Sequence, residues 1–265
     1  MFKNLIKNGL SSATLKYIAV ITMTIDHIGA FIIMPILTAK YGITPTLDPI
    51  NAPNTLACIY AVTRLIGRVS FPIFAFSLAE GYHYSKNRFK QILLLLLFAF
   101  ISAIPYSIAN DYGSTNIFEV VFNFSNSIMF TMLFAYIIIY LLDPDNYINP
   151  SNEIIKTILP SWLINYLMVL MALLLATQLK VDYGIYGLIM IIGFYMLKFK
   201  FKLPKTQVLP IMGVLNTLQV TAWLAMFPIA LYNNKRGKQD KYFFYVYYPL
   251  HLIILSYIRY LILKY

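Results

Sequence analysis

The sequence predicts an all-α fold, a polytopic bundle of transmembrane helices, on three observations. Hydrophobic residues make up 60% of the chain and charged residues only 12%, about half the charged fraction of an ordinary soluble domain. The mean hydropathy is +0.69. Apolar stretches, each long enough to cross about 30 Å of hydrocarbon, recur along all 265 residues. They predict one transmembrane domain, 1–265, and leave no room for a soluble one.

The apolar stretches define the membrane segments, of which we expect eight or nine. Their predicted bounds are 15–37, 58–81, 91–109, 125–142, 154–176, 183–198, 206–232 and 243–262. The first stretch has no small-residue cleavage site after it and contains Asp26 and His27. These features indicate a retained first span rather than a signal peptide.

Basic residues predict the orientation of the chain. Lys and Arg number 21 against 10 Asp and Glu. In a membrane protein this excess is typical of cytoplasmic loops and does not indicate a nucleic-acid partner. The regions with the most Lys and Arg are the N-terminus and the loops 82–90, 198–205 and 233–242. We therefore expect a multi-pass protein of the cell membrane, surrounded by lipid, with a cytoplasmic N-terminus.

Segment 206–232 conflicts with that orientation if it is a single span, because the basic loops on its two sides would then lie on opposite faces. Pro210 and Pro228 stand near its ends, and Asn216 and Gln219 near its middle. We interpret it as a short hairpin that returns to the cytoplasmic side. Irregular backbone at membrane depth is tolerated only against protein or water. A plain span, with eight segments in total, is the alternative.

Six ionisable residues lie where a membrane helix is expected. A charged side chain at mid-bilayer costs about 2.5–3.5 kcal/mol on insertion scales, so these positions are candidates for function. They are Asp26, His27, Arg64, Arg68, Glu80 and His251. Glu80 ends its predicted span and could also reach the cytoplasmic surface from there. Three scattered histidines give no metal-binding motif, and no metal is predicted.

Lys16 and His27 are the most informative pair. They are eleven residues apart, which is close to three helical turns, so both lie on one helix face about 16 Å apart along the axis. This spacing suits a long ligand with an anionic head and a reactive end, such as acyl-coenzyme A. His27 would be the general base, with Asp26 beside it. Alternatively, His27 is a buried histidine that a neighbouring helix satisfies.

Arg64 and Arg68 are four residues apart and share a helix face. They could clamp a phosphate or carboxylate with their planar guanidinium groups, or form internal ion pairs with Asp26 or Glu80. Pro72 predicts a kink in the same span. Near the C-terminus, Lys235 and Arg236 form a basic loop that suits phosphates or anionic lipid. His251 is a second candidate for acid–base chemistry.

Several blocks of the sequence resemble the TraX family of membrane proteins, named for the conjugative F-pilin N-acetyltransferase. The blocks are LKYIAVITMTIDHIGA (15–30), RLIGRVSFPIFAFSLAEGY (64–82), LLLLLFAFISAIPY (93–106), VDYGIYG (181–187), LYNNKRG (231–237) and KYFFYVYYPLHL (241–252). The opening block is also similar to the wider transmembrane acyltransferase superfamily, including acyltransferase-3 enzymes. That superfamily has a basic residue, ten residues and a histidine, a pattern that Lys16 and His27 match.

The resemblance implies an acetyltransferase that moves an acetyl group from cytoplasmic acetyl-CoA to an acceptor in or across the membrane. The acceptor could be a glycan, a lipid-linked sugar, or an exported peptide or pilin, and the resemblance does not choose among them. The candidate catalytic residues are His27, Asp26 and His251, and the candidate acetyl-CoA ligands are Lys16, Arg64, Arg68, Lys235 and Arg236. The alternatives are a transporter for an anionic solute, with the arginines as its site, and a non-catalytic membrane assembly protein.

Overall fold

The computed structural model describes residues 9–110, 127–146, 161–217, 219 and 221–264. The described residues are helical, with no β-strand among them, which confirms the predicted fold class. The α-helices are α1 (Ser12–Ile28), α2 (Met34–Tyr41), α3 (Thr55–Gly67), α4 (Ser70–His83), α5 (Arg88–Asn110), α6 (Ile128–Leu142), α7 (Ser161–Gln178), α8 (Gly184–Tyr195), α9 (Lys205–Asn216), α10 (Met226–Ala230) and α11 (Lys241–Lys264).

Five helical stretches are long and apolar enough to cross a membrane, judged by length and composition. They are Ser12–Tyr41, Thr55–His83, Arg88–Asn110, Ser161–Gln178 and Tyr242–Lys264. The shorter α6 and α8 lie side by side along the bundle: Thr131 near the start of α6 contacts Asp182 before α8, and Asp143 at the end of α6 pairs with Lys200 after α8. The described residues therefore make seven passes: α1–α2, α3–α4, α5, α6, α7, α8 and α11. The starts of the predicted segments 125–142 and 154–176 lie outside the described residues.

The first two passes are interrupted at their middles. In the first, a π-helical turn at Gly29–Ile33 joins α1 to α2 directly after the Asp26–His27 pair. Such turns are frequent at functional sites. In the second, the helix breaks at residues 68–69, and α4 begins at Ser70 with Pro72 in its first turn. The kink predicted from Pro72 is confirmed.

Most of the basic loops meet at one end of the bundle, which we call the basic end. Backbone hydrogen bonds join the start of α1 to the loop 231–240, from Ser12 to Lys235 and from Ala13 to Arg236. The ends of α4, α6 and α8 lie there too, because Glu80 of α4 contacts Tyr232 and Lys198, and Asp143 after α6 pairs with Lys200. A second π-helical turn, Met196–Lys200, extends α8 and directs Lys198 to Glu80 and Lys200 to Asp143.

Asp143 caps α6 at the basic end and ties three segments together. Its carboxylate accepts from Tyr82 and Lys200, both at 3.0 Å, and pairs with Arg88 at 3.2 Å. Burial alone would raise the pKa of the Asp143 carboxyl, but hydrogen bonds from Lys200 and Tyr82, and the charges of Lys200 and Arg88, lower it below its usual value. The carboxylate is therefore held ionised between its cations.

Segment 206–232 is a hairpin and not a span. Its limbs are α9 and α10, and the two ends of the hairpin lie together, because the Lys205 ammonium donates to the Tyr232 carbonyl. Leu10 forms an isolated bridge with Tyr232, so both ends lie at the basic end. The hairpin interpretation is confirmed. The described part of the chain thus contains seven passes and the two limbs of one hairpin, which is consistent with the predicted eight or nine segments.

The hairpin predicts where labelled residues should lie. In a Cys58→Ala background, Lys202→Cys and Lys238→Cys should react with an impermeant thiol reagent from the same side of sealed membrane vesicles. Asp48→Cys, in the loop between α2 and α3, is the control and should react from the other side. Labelling of positions 202 and 238 from opposite sides would contradict the hairpin.

Candidate functional site

A cavity of about 740 Å³ runs inside the bundle. At the basic end it is lined by Ser12, Lys16 and Arg236. Along α5 its lining extends from Gln91 to Asn110, the last residue of that helix. These residues are nineteen apart, which corresponds to about 28 Å along a helix axis. The cavity therefore covers most of the length of the bundle, and His27 lies between its ends.

The Asp26–Arg64 ion pair forms part of the cavity wall. Arg64 Nη1 donates to Asp26 Oδ2 at 2.6 Å and to the Asp26 carbonyl at 3.5 Å. The helices α1 and α3 can approach this closely because glycines face the pair. A Cβ placed on Gly67 would overlap Asp26, and one placed on Gly29 would lie 3.3 Å from Arg64 Cδ and overlap Thr63. Of the two interpretations of Arg64, the internal ion pair is confirmed.

His27 and His251 form a second pair beside the first. His27 Nδ1 lies 2.6 Å from His251 Nε2, and His251 Nδ1 lies 2.9 Å from the Tyr247 carbonyl. A carbonyl oxygen only accepts, so His251 Nδ1 carries the proton and donates it. In a neutral His251 ring, Nε2 is then the acceptor, and His27 Nδ1–H donates to it. This leaves the lone pair of His27 on Nε2.

The two histidines differ in their access to the cavity. His27 lines it, whereas His251 is only 5% exposed and is not among the described lining residues. Tyr247, whose carbonyl holds His251, also has its hydroxyl 2.7 Å from the Thr24 hydroxyl of α1. The pair therefore couples α1 to α11, with His27 as the member that a ligand can reach.

The tip of the hairpin reaches the middle of the bundle and contacts the break between α3 and α4. Arg68 Nη1 donates to Gln219 Oε1 at 3.3 Å, and the Thr221 hydroxyl donates to the Leu65 carbonyl at 2.6 Å. In a continuous helix the Leu65 carbonyl would accept from Val69 N. At the break, Val69 N donates to the Ile66 carbonyl instead, and the Leu65 carbonyl is left for Thr221. Arg68 and Gln219 both line the cavity, so the hairpin closes one side of the site.

The predicted acetyl-CoA residues fall into two groups. Lys16 and Arg236 lie at the basic end, where Lys16 Nζ donates to Gln239 Oε1 at 3.1 Å. Arg64 and Arg68 lie about halfway along the second pass, beside His27. Lys235 was predicted to belong to the first group, but it is exposed and does not line the cavity. Its carbonyl instead holds the start of α1.

Glu80 lies inside the bundle and does not reach the surface, which was the alternative for this residue. It is 5% exposed and pairs with Lys198, and the Tyr232 hydroxyl donates to it. It lies in the wall of the cavity, where it connects α4 to the π-helical turn after α8 and to the end of the hairpin. Its ion pair is with Lys198 and not with Arg64 or Arg68, and no signal in the sequence indicates a partner more than one hundred residues away in the chain.

Sequence reasoning missed Asp182 and Tyr106, which also line the cavity. Asp182 precedes α8 and is held by two neighbours: its carbonyl accepts from the Thr131 hydroxyl, and its Oδ1 accepts from Tyr183 N at 2.9 Å. It stands in a predicted loop, where an acidic residue is ordinary. The only available signal was its place in the block VDYGIYG.

The fold and the cavity define a helical membrane protein with ionisable side chains clustered around an internal chamber. The family model described as TraX protein matches residues 11–259, nearly the whole chain, and the protein belongs to the TraX family. No curated protein and no solved structure is significantly similar to the chain. Among the described residues, no group of three or more His, Cys, Asp or Glu side chains could hold a metal ion.

The glycine contacts make a stability prediction. Gly67→Ala should lower the free energy of unfolding by about 1–3 kcal/mol, the usual cost of overpacking, because the added methyl group overlaps Asp26. Gly213→Ala in α9 is the matched control, since its Cβ would meet Met226 at an ordinary 3.6 Å. Thermal unfolding in detergent measures both. Equal melting temperatures for the two variants would show that Gly67 does not limit the approach of the helices.

Proposed function

We propose that the protein is a membrane acetyltransferase that uses acetyl-CoA as donor and His27 as general base. One observation carries the proposal: a single cavity joins cationic side chains at the basic end to His27 in the middle of the bundle, where His27 is hydrogen-bonded to His251. Coenzyme A has the matching distribution of charge, with phosphates at one end and an uncharged arm that carries the thioester. Membership of the TraX family supports the same activity.

The donor enters from the basic end in this proposal. Lys16 and Arg236 attract the phosphates, and a charge-assisted contact to such a group contributes about 1.5–3 kcal/mol. The pantetheine arm then follows α1 from Lys16 toward His27, about 16 Å further along the axis. The arm passes Val20 and Met23, which line the cavity between those two positions.

The chemistry begins at His27 Nε2. Neither a sugar hydroxyl nor an ammonium group is a nucleophile at neutral pH, so a base must remove a proton as the acceptor attacks. The hydrogen bond to His251 holds His27 in the tautomer whose lone pair is on Nε2. His251 also accepts from the Nδ1–H of His27 and so stabilises the imidazolium that forms, as the third member of a catalytic triad does. His251 is thus a positioning residue.

The acceptor reaches His27 from the other end of the bundle in this proposal. The cavity lining continues past His27 to Asp182 and Asn110, so donor and acceptor need not share one entrance. This arrangement suits an acceptor outside the cytoplasm, such as a glycan, a lipid-linked sugar, or an exported peptide or pilin.

A transporter for an anionic solute is a second candidate, and the surroundings of the Arg68 guanidinium favour it. Within the described residues, no carboxylate lies within 4.0 Å of its guanidinium, which donates to the amide oxygen of Gln219. A cation of this kind in a long cavity could bind a passing anion. Binding of coenzyme A separates the two candidates.

Arg236→Ala should weaken the binding of acetyl-CoA about tenfold or more, since it removes one charged contact of 1.5–3 kcal/mol. Lys202→Ala is the matched control: it removes one positive charge from the same end of the bundle but not from the cavity lining. Isothermal titration in detergent gives both dissociation constants. If well-folded wild-type protein bound no coenzyme A, the transporter would become the better candidate.

The roles of the two histidines predict different losses of rate. His27→Ala should lower acetyl transfer by about 10²–10⁴-fold, the contribution of a general base, while acetyl-CoA still binds. His251→Ala should lower kcat less, and His251→Gln should recover part of the loss, because its amide oxygen can accept from His27 Nδ1–H. Transfer of labelled acetyl groups to native membrane extracts measures these rates. Wild-type activity of His27→Ala would exclude His27 as the base.

A further inference from the structure

We propose that Arg64 is a catalytic residue whose Nε–H binds the carbonyl oxygen of the acetyl group. The inference rests on the proposed function and adds to it the donor that stabilises the negative charge formed during transfer. Its basis is the geometry of one side chain, whose Nη1 and Nε have different environments.

The Arg64 guanidinium is fixed on one side. Nη1 donates hydrogen bonds to the carboxylate and the carbonyl of Asp26. The aliphatic part of the Arg64 side chain packs against Gly29. A guanidinium that is held by one carboxylate cannot turn freely to follow a ligand. Such a group is preorganised, which is the property that makes a hydrogen-bond donor effective in a transition state.

The other side of Arg64 has a donor without an acceptor. Its Nε is buried and makes no hydrogen bond in the described part of the chain. A buried donor of a charged group without a partner costs more than 1–3 kcal/mol, and a functional role is one explanation for such an atom. Arg64 and His27 line the same cavity, and Arg64 is bonded to the residue next to His27.

The reaction step has a place for this donor. The acceptor oxygen or nitrogen attacks the thioester carbon while His27 Nε2 takes its proton, and the carbonyl π electrons move to oxygen. Arg64 Nε–H then donates to that oxyanion. When the C=O bond re-forms, the C–S bond breaks, and the coenzyme A sulfur leaves and takes up the proton from His27. For a hydroxyl or a neutral amine as acceptor, atoms and charge balance without a further reactant; an ammonium acceptor first releases one proton to water.

The carbonyl stretch of bound acetyl-CoA tests the inference without any acceptor. With carbonyl-¹³C acetyl-CoA, isotope-edited infrared spectra of the wild-type protein should show the thioester carbonyl band at a lower frequency than in solution, because a cationic donor polarises the bond. Arg64→Lys keeps the charge opposite Asp26 but lacks the Nε–H. It should still bind acetyl-CoA, at a concentration that saturates the site, and lose the frequency shift.

Arg259→Lys is the matched control. Arg259 is also a buried arginine, 8% exposed, and donates to the carbonyls of Ile108 and Ala109, but it does not line the cavity. Arg259→Lys should keep the shifted band. Transfer should fall about 10²–10³-fold in Arg64→Lys through kcat, the usual effect of removing one oxyanion donor, with little change in KM.

The outcomes separate this inference from the proposed function. If wild-type protein binds no acetyl-CoA, the proposed function fails. If it binds acetyl-CoA and Arg64→Lys keeps the shifted band, only the role of Arg64 is overturned. Should Arg64→Lys not fold, the Asp26→Ala/Arg64→Ala protein removes both charges together. The band should then be unshifted, and added methylguanidinium should restore the shift; an unrestored band contradicts the inference.

Discussion

The ion pair between Asp26 and Arg64 is the contact on which the rest of the site depends. Two ionised groups inside a membrane protein are tolerated only when they are paired and hydrogen-bonded. This pair requires α1 and α3 to lie closer than ordinary side chains allow, and Gly29 and Gly67 provide that approach. The same contact fixes the rotation of α1, and with it the direction in which His27 points. The packing of these helices and the placement of His27 are therefore set by one interaction.

Two connections complete the frame around this pair. The His27–His251 hydrogen bond joins the first pass to the last helix, and the Arg68–Gln219 contact joins the second pass to the tip of the hairpin. Elements from both ends of the sequence thus meet around one chamber. A polar chamber of this kind is costly in a membrane protein, and the polar contacts between its walls offset part of that cost.

The sequence predicted some parts of this arrangement and not others, for physical reasons. The fold class and the line from Lys16 to His27 follow from local rules, hydrophobicity and helical periodicity, that act within one segment. The hairpin followed from the positions of basic residues and prolines. The partner of Arg64 was left open between two carboxylates, and Lys198 was not foreseen as the partner of Glu80, because helix–helix pairing has no local sequence signal. The pairing of His251 with His27, two residues 224 apart, and the part that Asp182 takes in the chamber depend on tertiary packing alone.

The hairpin has a consequence for the last helix. Because it enters and leaves at the basic end, it adds no net crossing, and the seven passes that remain are an odd number. The first and last described residues therefore lie at opposite ends of the bundle. In a membrane, two halves of a split reporter placed beside Gly9 and Lys264, the first and last described residues, would lie on different sides. On neighbouring molecules, the halves could reassemble only if those molecules were inserted in opposite directions.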